Sequence, residues 1–397
     1  MSGGADNDLA AMLVEWRRDF HRYPEVSGQE ERTSAKIKDF LTSLGFAVQT
    51  FPGHHGLCAV VAGRLPGPTV AVRADMDALS VTEETGREYS STVPGVMHAC
   101  GHDAHMAIAL GTAKLLAESR DRLAGAVKLI FQPAEEAAPL GGASRMIADG
   151  ALRDPDVAAI FAVHMWPDLP CGHVGLRKGP MAAASDRMNI RVFGDGAHAA
   201  EPHKGTDAIA IATAVYQGLN QVMNRQVDPR EIATISVGRI TGGERYNVIA
   251  REVLMEGTVR TLGEGVRREI PRLVDRMVAG VAAAFGGAYA LDYQFGYPVL
   301  MNDAAAYDAV LEAARRVAGE GAVHGDMAPI LGADDFAFYA GVVPGAYFFL
   351  GCRGEGATYP LHSSRFDIDE RALLVGTKVM YETVLAALAQ GGRRQCS

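Results

Sequence analysis

The sequence predicts an α/β domain with a mixed, largely parallel sheet and helices on both faces, interrupted by a smaller inserted α+β domain. At 397 residues the chain exceeds the roughly 250 to 300 residues over which one hydrophobic core usually grows, so two domains are expected. Short apolar runs alternate with helical stretches in the first part of the chain, a pattern typical of a parallel sheet covered by helices. From about residue 185 to residue 296 that alternation gives way to a different order of strands and helices.

Two helices are predicted to open the chain. The first runs from Leu9 to Tyr23, where apolar residues recur at helical spacing until Pro24, and the second runs from about Gln29 to Leu44. Apolar, β-branched runs then predict strands at Leu57 to Ala62, Thr69 to Val72, Ala126 to Phe131 and Val157 to Val163. Helical patterning between these runs is found at Ala104 to Ala117 and at Gly142 to Ala148.

The inserted domain is predicted to be a ferredoxin-like α+β module with the order β-α-β-β-α-β. Its segments are Met188 to Phe193, Asp207 to Gln226, Glu231 to Ile240, Glu252 to Arg260, Gly265 to Phe285 and Ala288 to Phe295. After Pro298 a helical stretch, an apolar run at Tyr347 to Leu350 and a final helix from Asp369 return to the first domain. We therefore predict one domain over residues 1–184 and 297–397, and an inserted domain over residues 185–296.

Composition and charge argue against several classes of function. A formal net charge of −9 and a sequence pI of about 5.8 disfavour a nucleic-acid partner, which would need a clustered basic surface. The polar, acidic N-terminus and the lack of an uninterrupted apolar run of about 18 residues predict neither a signal peptide nor a membrane span. A disulfide framework is not expected from five distant cysteines, which favours a reducing cytoplasm. These are Cys58, Cys100, Cys171, Cys352 and Cys396.

A metal-ligand pattern lies in the run His98-Ala99-Cys100-Gly101-His102-Asp103, which a third histidine, His105, follows. A lone Cys-x-His pair is more often structural than a ligand. Further ligand types, however, come directly after predicted strands or in a later loop: Glu135, Glu136, His164 and His362. Because ligands bind at the carboxyl ends of strands in open α/β sheets, these side chains are expected to meet. The set suits one or two transition-metal ions, with zinc, manganese, cobalt and nickel all compatible.

The adjacent Glu135 and Glu136 predict a division of labour. One carboxylate would bind metal and the other would act as general base for a metal-activated water, as amide hydrolysis requires, although spacing does not say which is which. Asp75 is predicted to orient a histidine ligand through its other ring nitrogen, or else to cap a turn. Asp103 is expected to be the N-cap of the helix that begins at Ala104. His164 could instead be a core histidine with a backbone partner.

Several motifs together resemble the M20 metallopeptidase family, specifically its amidohydrolase branch of hippurate hydrolases, N-acyl-L-amino acid amidohydrolases and auxin-conjugate hydrolases. The resemblance covers essentially the whole chain. The motifs are Arg17-Arg18-Asp19-Phe20-His21, Arg73-Ala74-Asp75-Met76-Asp77, Met97 to Asp103, Phe131 to Glu136, Gly179 to Ala183, His198 to His203, Asn247-Val248-Ile249 and Gly257 to Arg260.

The resemblance implies roles for individual residues. Cys100, His102, Glu136, His164 and His362 match the family's ligands for two divalent metal ions, and Glu135 matches its general base. His198 matches a lid histidine that stabilises the oxyanion, while Asn247 and Arg260 match positions that could hold the substrate's carboxylate. The implied activity is hydrolysis of the amide bond of N-acyl-amino acids of N-acetyl, N-benzoyl or aryl-acetyl type. The implied assembly is a homodimer, or a dimer of dimers, formed through the lid.

Some positions depart from the branch, and two other functions remain open. Ser80 and Ala250 replace prolines, Ala197 replaces a glycine, and Asp334 replaces a glutamate, so the substrate of a known member should not be transferred. A dipeptidase or carboxypeptidase of the same fold is the nearest alternative. A non-catalytic metal-binding protein is a further one, but closed structural sites favour Cys and His ligands close together in sequence.

Overall fold

The structure is a computed structural model that describes residues 2–356 and 358–395. The chain divides into two compact units. Unit 1 comprises Met1–Met181, Met301–Ala328 and Asp335–Ser397, and unit 2 comprises Ala182–Leu300 and Pro329–Asp334. The inserted domain was predicted over residues 185–296, and the short segment Pro329–Asp334, which we had placed in the first domain, groups with unit 2.

The helices and strands of the described residues follow the predicted order, with additional short elements. The helices are α1 (Ser2–Arg22), α2 (Glu31–Ser43), α3 (His102–Glu118), α4 (Ala143–Ala148), α5 (Ala208–Arg225), α6 (Glu264–Ala284), α7 (Ala304–Ala318), α8 (Phe336–Ala340) and α9 (Arg371–Gln395). The strands are β1 (Ala47–Thr50), β2 (Leu57–Ala62), β3 (Leu65–Asp75), β4 (Ala124–Gln132), β5 (Val157–Pro170), β6 (Val174–Gly175), β7 (Gly179–Ala182), β8 (Ala184–Phe193), β9 (Ala233–Gly242), β10 (Glu252–Thr261), β11 (Ala288–Tyr297), β12 (Leu300–Asn302), β13 (Val323–His324) and β14 (Gly345–Arg353).

Unit 1 is built on an eight-stranded mixed sheet with the order β1-β2-β4-β3-β5-β14-β6-β13. The four central strands, β4, β3, β5 and β14, run parallel to one another. Strands β1 and β2 pair antiparallel with their neighbours, whereas β6 pairs antiparallel with β14 and parallel with β13. Helices α3 and α9 pack against each other and against β3. Every residue of α3 from His102 to Ala113 is buried, which suits a helix in the middle of the core. The predicted α/β class is confirmed.

The central strands end at different heights, and this places the ligand side chains. Strand β3 pairs with β5 only as far as Arg73 and Ala162. Beyond that point β5 continues alongside β14, with His164 opposite Phe349. The prediction that this strand ends at Val163 was therefore wrong, because β14 supplies backbone partners after β3 has stopped. His164 lies inside β5, yet it is past the last residue that pairs with β3.

Unit 2 has the predicted order of elements, β8-α5-β9-β10-α6-β11. Its sheet is antiparallel with the strand order β11-β8-β10-β9, as expected for a ferredoxin-like module. Helices α5 and α6 pack on this sheet through buried residues that include Ile211, Val215 and Val274. Asp207 caps α5 by accepting hydrogen bonds from the backbone N–H groups of Ile209 and Ala210.

One stretch of helix α9, Arg371–Gln390, has the length and mean hydropathy (1.5) of a segment that could cross a membrane. Half of that window is buried inside the fold, where α9 contacts α3 and β3. It also carries Lys378 and Glu382, so it is not an uninterrupted apolar run. Buried core helices commonly have this composition.

Candidate metal centre

A glycine turn presents the first two predicted ligands. Gly101 lies between Cys100 and His102, precedes α3 and has a φ of 92°, a conformation that L side chains rarely adopt. A Cβ atom at this position would also lie 2.9 Å from the side chain of Met165. Glycine is therefore required here, and it lets the chain turn sharply between the thiol and the imidazole.

The predicted ligands come together as two groups that share one sulfur atom. Cys100, His102 and His164 form one group, and Cys100, Glu136 and His362 form the other, with the candidate ligand atoms of each group within 4.8 Å of one another. The Sγ atom of Cys100 lies 3.5 Å from Nε2 of His164. On the other side, Nε2 of His362 lies 3.4 Å from Oε1 of Glu136. Cys100 is thus common to both candidate groups.

The backbone fixes the ring orientation of two histidines. Nδ1 of His102 donates to the carbonyl oxygen of Asp77 at 2.8 Å, and Nδ1 of His164 donates to the carbonyl oxygen of Met165 at the same distance. In each ring this leaves Nε2 as the available ligand atom. Nε2 of His102 and Oε1 of Glu136 are buried and have no hydrogen-bond partner among the described residues. Buried nitrogen and oxygen atoms that have a free lone pair in this way are suitable ligands for divalent metal ions.

Burial and charge set the protonation of the metal-free site. Burial raises the pKa of the Cys100 thiol, and the nearby Glu136 carboxylate raises it further. Burial lowers the pKa of His164 well below its ordinary value. Burial also opposes the charge on His102, but Asp75 and Asp77 outweigh it and raise the pKa of that imidazole. Without metal, the site therefore holds a neutral thiol.

The two adjacent glutamates lie on a turn whose backbone is bound by Asp77. The carboxylate of Asp77 accepts the N–H of Glu135 at 3.0 Å through Oδ1 and the N–H of Glu136 at 2.9 Å through Oδ2. Ser27 donates its hydroxyl to the same Oδ2 at 2.6 Å. Sequence reasoning assigned no role to Asp77, although its place two residues after Asp75 at the end of a strand was a signal. Asp77 therefore links His102 to both glutamates.

The contact that we predicted for Asp75 is made by Asp77. Asp75 Oδ1 accepts instead from Nδ1 of His105 at 2.7 Å, and Oδ2 accepts from the guanidinium of Arg73 at 2.5 Å. Nε2 of His105 in turn accepts the backbone N–H of Met165 at 2.9 Å. Asp75 and His105 therefore tie β3, α3 and β5 together beside the ligands. The carboxylate of Asp75 lies 3.6 Å from Nε2 of His102.

The prediction that Asp103 caps a helix beginning at Ala104 was wrong. Helix α3 begins at His102, and its N-cap is Gly101. The buried Asp103 carboxylate accepts from Arg17 at 2.8 Å and from Nδ1 of His21 at 2.7 Å. The glycine turn starts the helix earlier than the sequence pattern indicated, which leaves the aspartate free to bind this cationic pair.

Three further predicted residues, His198, Asn247 and Arg260, belong to unit 2. His198 is exposed, and its Nδ1 accepts the backbone N–H of Ala200 at 3.0 Å. The segment that carries it pairs with the segment of Asn247, through the backbone N–H of Ala199 and the carbonyl oxygen of Asn247. Oδ1 of Asn247 is buried and has no hydrogen-bond partner within the described ranges. Burial lowers the pKa of Arg260, an effect that the charge of Asp186 opposes.

Comparison with known proteins was consistent across three kinds of match. The model of peptidase family M20/M25/M40 matches residues 71–386 of the chain. An N-acetyl-L-cysteine deacetylase of Bacillus subtilis is 40% identical over 375 residues, which cover 94% of this chain and 88% of that protein. Thermostable carboxypeptidase 1 of Saccharolobus solfataricus is 38% identical over 373 residues, covering 93% of each.

A solved structure extends the comparison to the fold. The crystal structure of a Bacillus subtilis protein described as a dinuclear metal-binding peptidase from the M20 family is similar to this chain, with a TM-score of 0.84 and 36% sequence identity. The match covers 96% of this chain and 99% of that one. The similarity therefore includes residues of both units.

Proposed function

This chain belongs to peptidase family M20/M25/M40 and is a hydrolase that acts on amides, and we propose that its substrates are N-acyl-amino acids. The observation that carries this proposal is the pair of ligand groups joined at Cys100, with the buried carboxylate of Glu135 beside them. The deacetylase relative acts by name on an N-acetylated amino acid, which supports the substrate class. N-acetyl, N-benzoyl and aryl-acetyl groups are the acyl groups to test.

We assign two divalent ions to the site, held by Cys100, His102, Glu136, His164 and His362. Cobalt, manganese, nickel and zinc all suit this set of sulfur, nitrogen and oxygen ligands. When bound, such ions lower the pKa of a water molecule and polarise a substrate carbonyl. The protein then has to move a proton and to hold the substrate.

The transfer of this proton is assigned to Glu135. The family resemblance gives the ligand role to Glu136, which groups with Cys100 and His362. Glu135, which also lies near His102 and is held on the same turn by Asp77, is left to act as the base. Glu135 accepts a proton from the attacking water and passes it to the amine that leaves. His198 is proposed to donate a hydrogen bond to the carbonyl oxygen as negative charge develops there. Asn247 and Arg260 are proposed to hold the substrate's carboxylate.

We further propose a cytoplasmic homodimer, or a dimer of dimers, formed through unit 2. Strand β9 lies at the edge of its sheet, and exposed apolar side chains occur on β9 and on the neighbouring α5. Ile209, Tyr216 and Ile240 line a surface cavity of about 300 Å³ there. Unpaired strand edges and apolar patches favour association between chains. The four described cysteines are free thiols, which suits a reducing compartment.

The first experiment is release of free amino acid from N-acetyl, N-benzoyl and indole-acetyl amino acids and from dipeptides, after removal of metal and reconstitution with each candidate ion. Cleavage of acyl-amino acids that requires added metal is the expected result. Preference for dipeptides would favour a peptidase, a second candidate that the carboxypeptidase relative supports. A lack of turnover across the panel, with metal bound, would contradict the proposal.

Two variants test the assignments within the site. Glu135→Gln is expected to lower kcat by at least about 100-fold with both metal ions retained, because a general base contributes about that much. Cys100→Ala is expected to lose metal, and Cys58→Ala, which changes another buried cysteine, serves as its control and should keep metal. Near-normal turnover by Glu135→Gln would refute the base assignment.

A substrate with its carboxylate methylated tests Arg260. Wild-type enzyme is expected to have a higher KM for the methyl ester than for the free acid, and Arg260→Ala should remove this difference. Arg239→Ala, on the exposed strand β9, is the control. An Arg260→Ala variant that discriminates as the wild type does would show that the carboxylate is held elsewhere.

A further inference from the structure

The backbone at Ala134, the residue before the two glutamates, has an unusual conformation. Its φ is 58°, in the left-handed region, and Ala134 is one of three non-glycine residues with positive φ in the described part of the chain. Such a conformation persists only where the surroundings impose it. The direction in which Glu135 and Glu136 leave the turn depends on this residue.

A buried carboxylate from a distant segment binds the backbone at this point. Oε1 of Glu30 accepts the N–H of Ala134 at 2.8 Å and that of Gly28 at 2.9 Å, and the side chain of Glu30 is fully buried. Together with Asp77, Glu30 therefore binds three consecutive amides, those of Ala134, Glu135 and Glu136. Glu30 lies in the segment between α1 and α2, and Ser27 of the same segment donates to Asp77. Both carboxylates are therefore linked to this segment.

Helix capping does not account for Glu30. The residue precedes α2, but its side chain makes no capping hydrogen bond to that helix. The amides of the first turn of α2 are bound instead by Glu25, which accepts from Arg32 at 3.0 Å and from Thr33 at 2.8 Å. The other oxygen of Glu30, Oε2, is buried with no hydrogen-bond partner among the described residues.

Burying this carboxyl is costly, and open space adjoins the turn that it binds. Burial raises the pKa of Glu30 to about 7, which reflects the cost of a buried charge. A cavity of about 500 Å³ lies against the turn and is lined by Gly28, Pro133 and Ala134 among others. Because open space adjoins Ala134, its backbone could relax if the hydrogen bond from Glu30 were lost.

We propose that Glu30 is a positioning residue that holds Ala134 in its left-handed conformation, so that Glu135 and Glu136 point to their separate tasks. The inference rests on the proposed function for the roles of these two glutamates. What it adds is that the length of the Glu30 side chain, which sets the position of its accepting oxygen, keeps the turn at residues 134–136 in place, and that its charge does not.

Two conservative variants of Glu30 separate the effect of side-chain length from the effect of charge. Glu30→Gln keeps an acceptor oxygen at the same distance and removes the charge, whereas Glu30→Asp keeps the charge and withdraws the oxygen by one methylene. Glu25→Asp is the matched control, because it makes the same change in a carboxylate that caps α2. All three variants keep a polar side chain of similar size, which favours folding.

Steady-state kinetics on the best substrate of the panel and the metal content of each variant form the first readout. Glu30→Asp is expected to lower kcat about tenfold or more, with KM within about twofold and metal content unchanged, because a small misplacement of a catalytic group slows chemistry. Glu30→Gln and Glu25→Asp should keep kcat within about threefold of the wild type. Equal activity of Glu30→Asp and Glu25→Asp would overturn the inference, and so would a loss in Glu30→Gln as large as in Glu30→Asp.

Hydrogen exchange in the metal-free chain is a readout that does not need activity. In Glu30→Asp the amides of residues 134–136 are expected to exchange about tenfold faster or more, while those of α2 stay protected. Glu25→Asp should show the reverse pattern. If the wild type hydrolyses no amide, the proposed function fails, but hydrogen exchange still tests whether Glu30 holds the backbone at Ala134. Unchanged exchange at 134–136 in Glu30→Asp would overturn the inference.

Discussion

Replacing Arg17 by methionine should strongly destabilise unit 1. The Arg17 side chain is wholly buried, and its guanidinium lies 2.8 Å from Asp103, 2.9 Å from Asp367 and 3.3 Å from Glu370. Methionine fills a similar volume but leaves His21 as the one side chain, among the residues that the structure describes, that still pairs with the buried Asp103 carboxylate. Breaking a buried ion pair by removing one partner costs about 3–5 kcal/mol.

That cost can be converted to a shift in melting temperature. Unit 1 has about 270 residues, and unfolding gains about 2.1 cal/mol/K per residue, so its unfolding entropy is about 0.6 kcal/mol/K. The Arg17→Met variant is therefore expected to melt about 5–9 °C lower in calorimetry of the metal-free protein. Removing metal first separates the stability of the fold from that of the ligand complex.

The neighbouring arginine provides a matched control. Arg18 also binds Glu370, at 2.6 Å, but its side chain is 43% exposed. Exposed ion pairs contribute about 0–1 kcal/mol, so Arg18→Met should shift the melting temperature by no more than about 2 °C. Equal shifts for the two variants would refute the reasoning, because burial of the guanidinium would then not set the cost.

Three further predictions concern acid, unit 2 and metal binding. Although burial opposes its ionisation, hydrogen bonds from His21 and from the Ser91 N–H hold the pKa of Glu83 at about 2, so its contribution to stability is present above about pH 4.5 and is lost as the pH falls towards 2. When the pH is lowered between those values, the free energy of unfolding in urea should fall more for the wild type than for Glu83→Gln, by up to about 2 kcal/mol. The same fall in both proteins would contradict this. Arg267→Met should unfold unit 2 selectively in hydrogen exchange, with metal content unchanged, because Arg267 pairs with the buried Asp186; Arg272→Met, which changes an exposed arginine, should not. Zinc binding near pH 7 should release a proton from the Cys100 thiol, seen as a dependence of the calorimetric heat on buffer, and Cys58→Ala should release as many protons as the wild type.

Residue type and position along the chain pointed to side chains that the structure brings together as candidate metal groups. Cys100 and His102 were chosen for their glycine-flanked run before a predicted helix, and the resemblance alone preferred Glu136 to Glu135 as a ligand. The glutamates and His164 follow apolar runs, and parallel strands bring such positions to one edge even when a strand end is misjudged, as for His164. Periodicity likewise predicted the order of strands and helices in unit 2, since that order does not depend on where each element ends.

The contacts around the ligands could not be predicted in the same way. Asp75 and Asp77 are two residues apart, and only the three-dimensional register decides that Asp77 covers His102 while Asp75 covers His105. Asp103 was misjudged because the left-handed Gly101 starts α3 earlier than apolar spacing indicates. Glu30 carries no local signal, because its partner is 104 residues away in the chain.

The order in which the ligands occur in the chain also bears on how the protein is made. Cys100 and His164 emerge early from the ribosome, but His362 lies in the last segment of unit 1, after the whole of unit 2 has been synthesised. The second candidate group therefore cannot close until His362 has been synthesised. A product truncated before His362 would keep the residues of the first candidate group and lack one residue of the second. Occupation of both candidate groups would thus mark a chain that extends past His362.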